Sequence, residues 1–461
     1  MEDRNREMAR RVAQAVAREG GRTYYVGGFV RDQILGRDNK DIDIEVHGVP
    51  VQTLESILDS LGERLSMGAD FGIMGLRHYE LDIAMPRSET ATGRGHRDFA
   101  VLVDPFIGEE KAARRRDFTV NALMRDVLTG EILDFFGGRE DMKRGIIRHV
   151  DDGSFAEDPL RALRAAQFAA RFGFTVAPET VSLSAAMELA ALPGERVLGE
   201  LEKALVKADK PSIFFEELRR MRQLHDWFPE AEALIGLRQN PAYHPEGDVW
   251  THTMQVLDEA AALRSAAGEP LRFMLSALCH DMGKAVTTEE SGGAVHAYEH
   301  EKKGLVEVKR FLRRLTRETK LTAYVLNMTE LHMKPNMLAG NGAQIKSYMR
   351  MYDRSVCPED LLLLARADHL GRVGPGSDRE ALLSSYAETE HRLQEMLALY
   401  RARMSEPYLM GRDLVDAGLE PGPSFTEALA FAHKLRLAGR PKEEQLRQAV
   451  SFIRKRGRKG I

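Results

Sequence analysis

The stretch Asp41-Ile42-Asp43-Ile44-Glu45-Val46 lies just downstream of Gly27-Gly28-Phe29-Val30-Arg31-Asp32. Side chains alternate across a strand, so Asp41, Asp43 and Glu45 share one face while Ile42, Ile44 and Val46 take the other. Three carboxylates on one face repel each other and cannot be buried unpaired. A divalent cation resolves the conflict, and an all-oxygen ligand set suits Mg²⁺. An exposed acidic edge strand would otherwise be the default reading. The glycine pair upstream weighs against it: it ends the apolar run Tyr24-Tyr25-Val26 and opens a helix expected over 30–35, so backbone N–H groups are offered to a phosphate. A phosphate grip beside metal-type carboxylates points to nucleotidyl transfer.

A third acid is expected on a neighbouring strand, and Tyr79-Glu80-Leu81-Asp82-Ile83-Ala84 supplies Glu80 and Asp82 on one face. Asp82 is preferred because it leads into Pro86-Arg87. Two metals shared by such aspartates would activate an attacking hydroxyl and stabilise a leaving pyrophosphate. The segment Arg114-Arg115-Arg116-Asp117-Phe118-Thr119-Val120-Asn121 follows. An arginine run is usually a solvated face, but this one abuts an acid and a Thr/Asn pair in an apolar stretch, which favours a triphosphate clamp.

Glu157-Asp158-Pro159-Leu160-Arg161-Ala162-Leu163-Arg164 opens a helical pattern that runs through Phe172. Asp158 before Pro159 is a good N-cap. Asp158 and Arg161 also share a face near the helix start. Cytosine and adenine each present an exocyclic amine beside an unprotonated ring nitrogen. A carboxylate accepts from the first and a guanidinium donates to the second. Guanine and uracil show the reverse order and would be mispaired. One Asp/Arg pair therefore admits C and A while rejecting G and U.

Taken in order, Gly-Gly-x-Val-Arg-Asp, Asp-Ile-Asp, Arg-Arg-Asp-Phe-Thr and Glu-Asp-x-x-Arg over residues 26–164 resemble the class II tRNA nucleotidyltransferase and bacterial poly(A) polymerase family. The resemblance implies an α+β head of polymerase-beta type followed by mainly α-helical neck, HD and tail domains. It implies Asp41, Asp43 and Asp82 as catalytic acids, the first two holding Mg²⁺. It implies nucleotide contacts from Gly28, Arg31, Arg87, Arg115, Arg116, Asp117, Asn121, Asp158, Arg161 and Arg164. The stretch 195–203 is similar to the family's next motif, which braces the neck. The loop 88–99, with Arg94-Gly95-His96-Arg97, resembles a flexible element of relatives that switch from C to A addition.

A second signal follows. His252 stands on a helix expected over 249–263, then come His280-Asp281, His300, His332 and Asp368. An adjacent His-Asp in an apolar helix is costly unless paired or metal-bound. Single histidines are usually incidental, but this ordered set resembles the HD phosphohydrolase superfamily, in which such ligands hold one or two metals. His300 is preferred to His296. Mixed His/Asp ligation suits a divalent transition metal without naming it.

With 461 residues, 43% of them hydrophobic and 30% charged, the chain is long enough for several cored domains. The breaks at Pro193-Gly194, 240–247 and 371–377 suggest a head over 1–150, a neck over 151–240, an HD domain over 241–390 and a tail over 391–461. A net charge of −4 excludes a uniformly basic coat, so RNA would be met by local patches: 139–148, the helix of Arg219, Arg220 and Arg222, and 454–459. Two cysteines, no membrane-length apolar run and no signal-peptide pattern suit the cytoplasm.

The function expected is addition of CCA to the 3′ end of tRNA from CTP and ATP, with a phosphohydrolase attached. Poly(A) polymerase, or a CC-only or A-only enzyme, is the alternative within the family. A hydrolase with an inactive head, or an RNA-binding module, is the alternative outside it. The oligomeric state is left open.

Overall fold

The computed structural model describes residues 2–39, 41–66, 73–91, 99–292, 294–374 and 376–457. The chain divides into two compact units, Met1–Trp227 and Phe228–Ile461.

The first unit is built on a seven-stranded sheet. Its strands are β1 (Arg22–Val26), β2 (Ile42–His47), β3 (Arg64–Ser66), β4 (Ile73–Leu76), β5 (Leu81–Ala84), β8 (Met124–Asp126) and β9 (Ile132–Leu133), in the order β3-β4-β5-β2-β1-β8-β9. A separate hairpin pairs β6 (Arg87–Ala91) with β7 (Phe99–Val103). The alternation read in β2 holds: Ile42, Ile44 and Val46 are fully buried, against Met8, Val12 and Val16 of the helix Glu2–Arg18 and Leu54 and Leu58 of the helix Val51–Leu61. That anchoring fixes the register, since a one-residue slip would turn the acids into the core. β2 and β5 run parallel with Asp43 opposite Asp82. The rest of the unit is helical. Leu160–Phe172 carries an alanine-rich buried face that packs against Gly194–Lys207 and Ser212–Arg220.

The second unit is almost wholly helical. Val249–Leu263 packs on Pro270–Cys279 and Pro358–Leu370, and Pro270–Cys279 packs on Thr319–Leu331. A C-terminal group of helices closes a small core of Leu409, Leu414, Ala428, Ala432 and Ala449. Among the described residues, no helix is long and apolar enough to cross a membrane.

Candidate functional site

In the first unit a cleft of about 750 Å³ is lined by most of the residues that the sequence singles out: Gly28, Arg31, Asp41, Asp43, Arg87, Arg115, Arg116, Asp117, Asn121, Asp158, Arg161 and Arg164. Asp82 stands in register beside Asp43. Asp41 and Asp82 are exposed, and Asp43 is half-buried. Burial and the neighbouring Asp82 push the Asp43 carboxyl up to about 6, against the pull of Arg116. A carboxylate raised by burial and by an acidic neighbour is what a bound cation would relieve, so the donor set fits Mg²⁺.

Glu45 departs from the expectation of three metal-facing acids. It is 1% exposed, and its carboxylate lies 2.9 Å from His47 Nε2, 3.3 Å from Arg115 and 3.2 Å from Arg116. Burial opposes ionisation, but the hydrogen bond from His47 and the two guanidiniums outweigh it, bringing Glu45 down to about 2. The third acid of the strand is thus neutralised by the arginine run and anchors it. Gly27 makes this approach possible: at φ 63° it has no Cβ, and one would lie 3.2 Å from an Arg116 nitrogen.

Other predicted residues form a buried brace beneath the cleft. Arg31 donates to Asp32 at 2.7 Å and to Asn121 Oδ1 at 2.6 Å. Asn121 and Arg164 both donate to Asp117, at 2.9 and 2.6 Å. Arg164 and Asn121 hold Asp117 below its ordinary value in spite of burial. At the cleft surface the helix is capped at Pro159 and not, as expected, at Asp158, whose carboxylate accepts from the Leu160 N–H at 3.1 Å and from Arg196 at 3.1 Å. Arg161 donates to the carbonyls of Ser154 and Arg115. Asp158 and Arg161 are therefore each positioned by a third group and are not spent on one another.

The second unit gathers His252, His280, Asp281, His300, His332 and Asp368, all 0–5% exposed. Nδ1 of His280, His300 and His332 lies 2.7, 2.9 and 2.7 Å from the carbonyls of Ala277, Ala297 and Thr329. A carbonyl only accepts, so each Nδ1 carries a proton and Nε2 is the atom left facing the cluster, with a lone pair to offer when the ring is neutral. Those nitrogens converge on Asp281: Oδ2 lies 3.3 Å from His280 and 3.7 Å from His252, and Oδ1 lies 3.1 Å from His300 and 3.7 Å from His332. Asp368 is 3.2 Å from His252 Nε2. Burial and the nearby His280 push His332 down to about 3. Glu246 Oε1, 2.8 Å from His252 Nδ1, orients that ring in turn, as an outer carboxylate does for a metal-binding histidine. Deprotonated nitrogens facing a shared carboxylate fit a divalent metal site with Asp281 between two halves, one of His252 and His280, the other of His300 and His332.

Close backbone contact assembles this cluster. A Cβ on Gly283 would lie 2.1 Å from the His300 carbonyl, and one on Gly304 would lie 2.3 Å from the Gly283 Cα. Two glycines thus let the His-Asp turn meet the segment of His300. A cavity of about 500 Å³ opens beside the cluster, lined by Lys284, Arg372, Gln239, Tyr243, His296 and Tyr298 among others. His296 stacks on Tyr298 at 5.1 Å and belongs to the cavity wall, whereas His300 belongs to the cluster.

Comparison with known proteins finds a match over each of the two regions. Residues 23–148 match the model of the poly A polymerase head domain, and residues 249–372 match that of the HD domain. A multifunctional CCA protein of Actinobacillus pleuropneumoniae is 36% identical over 76% of this chain and 86% of its own. Another, of Xanthomonas campestris, is 35% identical over 92% of this chain and 99% of its own. The chain belongs to the multifunctional CCA protein family. Its fold resembles solved CCA-adding enzymes: an apo form at TM-score 0.65 and 21% identity over 98% of this chain and 96% of the other, and the Thermotoga maritima enzyme with tRNA at 0.59 and 20% over 97% and 95%.

Several residues of this family member escaped sequence reasoning. Arg196 and Lys203 stand in the helix Gly194–Lys207 and line the cleft with Arg171 and Phe168. Their signal was the motif at 195–203, read only as a brace. Gln239 was not singled out. Its Oε1 accepts from Lys284 at 2.8 Å, and its buried Nε2, on the cavity wall, lacks a protein partner among the described residues. The loop residues Arg94, Gly95, His96 and Arg97 lie outside the described residues.

Proposed function

We propose that the chain adds C, C and A to the 3′ end of tRNA from CTP and ATP without a template, and that its HD centre hydrolyses a phosphoester. The observation that carries the first part is one cleft uniting Asp41 and Asp43 with the Arg115/Arg116 pair and with Asp158 and Arg161. The relatives named multifunctional CCA protein support it, as do CCA-adding enzymes of similar fold solved with ATP and with CTP. In this reading 1–150 is the head, 151–240 the neck, 241–390 the HD domain and 391–461 the tail.

Asp41 and Asp43 would hold Mg²⁺, with Asp82 as the third acid beside them; the metal when bound would supply acidification of the attacking hydroxyl and charge neutralisation on the departing pyrophosphate. Arg115 and Arg116, tethered by Glu45, present their remaining donors to the triphosphate. Tethering keeps them from collapsing onto Asp41 and Asp43 before substrate arrives. Asp158, turned by Arg196, accepts from the amine of C or A, and Arg161 donates to the adjacent ring nitrogen. The brace of Arg31, Asn121, Asp117 and Arg164 fixes the distance between the phosphate end and the base end.

In the second unit His252, His280, Asp281, His300, His332 and Asp368 would hold one or two divalent transition metals, which when bound supply an activated water and polarise the phosphoester. Lys284 and Arg372, on the cavity wall, meet the phosphate charge, and Gln239 Nε2 donates to a substrate oxygen.

The test is incorporation of labelled CTP and ATP, separately and together, into tRNA lacking its last three nucleotides and into tRNA ending in CC. Ordered addition of C, C and A followed by arrest is expected. A long A tail, or addition of only one base, would replace this reading by one of its relatives. No incorporation would leave the HD centre as the working half.

A further inference from the structure

The helix Leu305–Leu315 and the turn into Thr319–Leu331 carry a charge pattern that neither site uses. Between Lys302 and Lys320 eight Lys/Arg stand against two Glu, a local +6 in a chain of net −4. Part of this is neutralised: Glu299 neighbours Lys302 and Lys303, Glu307 holds Arg310, and Glu230 holds Arg314. Lys309, Arg313, Arg317 and Lys320 are exposed and carry no acidic partner among the described residues. Lys309 and Arg313, four residues apart on the helix, share one side of it with about 6 Å of rise between them, and Arg317 and Lys320 follow in the turn and at the start of the next helix. Beside them runs a groove of about 700 Å³, walled by Lys309, Arg310, Arg313 and Arg314 over an aliphatic floor.

In two of the patches expected from sequence, 139–148 and the helix of Arg219 and Arg220, several cations are paired. Arg148 is held by Asp141 and Glu179, Arg219 by Glu216 and Arg220 by Glu217.

We propose that this cationic groove of the second unit binds the phosphodiester backbone of RNA, independently of sequence. The proposal rests on the reading of the chain as an RNA-processing enzyme. Three features select this partner. The groove has no aromatic side chain on which a base could stack, so it fits backbone and not bases. The helix spends its apolar face, Val308, Phe311, Leu312 and Leu315, on the core at 0–2% exposure. Only Val306 remains exposed beside the cations, which leaves no apolar face to insert into a lipid surface. The exposed cations Lys309 and Arg313 on the groove wall, with Arg317 and Lys320 in the segment that follows, give the salt-dependent attraction that a polyanion exploits.

The test uses full-length protein and fluorescently labelled tRNA in equilibrium binding across a range of salt. Wild type is compared with Lys309→Ala/Arg313→Ala/Arg317→Ala and with the charge-conserving Lys309→Arg/Arg313→Lys/Arg317→Lys. The alanine variant should bind about tenfold or more weakly at low salt, with a salt slope smaller by about 2 to 3, roughly 0.9 per lost phosphate contact. The charge-conserving variant should bind like wild type. Unchanged affinity and slope in the alanine variant would overturn the proposal. So would equal loss in the charge-conserving variant, or a preference of this face for anionic phosphatidylserine vesicles over RNA. Wild type that fails to bind tRNA at all would instead sink the underlying reading.

Discussion

Asp41 and Asp82 are exposed and Asp43 is half-buried, with basic residues on several sides, whereas every imidazole and carboxylate of the His252–Asp368 cluster is at most 5% exposed. The first arrangement offers few anions and many cations. Two or three carboxylates cannot complete an Mg²⁺ shell, and Mg²⁺ ordinarily finishes its coordination with water and substrate phosphate. In the proposed reading the cleft is a half-site that a nucleoside triphosphate and its metals would complete together. The second arrangement has its lone pairs already aimed, three of them locked by backbone carbonyls, around a carboxylate shared between two halves. In the proposed reading it is a prebuilt metal site, whose carboxylates also pair with Lys284 and Arg372.

If the two are separate machines, disabling one must spare the other. Asp43→Asn keeps the volume and removes the charge. It should lower nucleotide incorporation by on the order of a thousandfold, about 4 kcal/mol of lost transition-state stabilisation, with phosphoester hydrolysis unchanged. Loss of both activities in a folded protein would break the separation.

A smaller effect should come from the group that turns Asp158, the acid proposed to read the base. Arg196→Ala removes the partner of the Asp158 carboxylate and leaves its bond from the Leu160 N–H in place. Discrimination of CTP and ATP against GTP and UTP should fall about tenfold, mostly through KM, since a loosened reader binds all bases more alike. An unchanged specificity profile would show that Arg196 only stabilises the helices.

A third effect, on stability and not on activity, concerns the anchor of the arginine pair. Glu45 sits near 2 against an ordinary 4.5, so it contributes stability that is present above about pH 4.5 and is lost as pH falls toward 2. The full amount is on the order of 3 kcal/mol. In denaturant titrations at pH 7 and pH 3, Glu45→Gln should lose stability at the higher pH and show a flatter pH dependence than wild type. Equal acid sensitivity in both proteins would mean that other carboxylates govern it.

Much of this was legible in the chain. The alternation in 41–46 placed the isoleucines in the core and the acids toward the cleft because period 2 leaves no other choice once one face is apolar. The helix over 249–263 begins and ends where its pattern does, and the ordered His/Asp set converges as the HD resemblance implied. The missed features depend on contacts between distant segments. Glu45 reads as a metal acid until Arg115 and Arg116 arrive from about 70 residues away. Gln239 becomes a donor to the cavity only once Lys284 has taken its oxygen. Gly283 matters because Gly304 packs on it, a pairing with no local signature.

The contrast between prebuilt site and half-site is tested most directly by the metal content of full-length protein after dialysis against metal-free buffer, measured for wild type, Asp281→Asn and Asp43→Asn. Wild type and Asp43→Asn should each retain about one to two transition-metal ions per chain, and Asp281→Asn should retain none. Wild type that comes through dialysis without metal, or retention abolished by Asp43→Asn, would contradict the division of labour between the two sites.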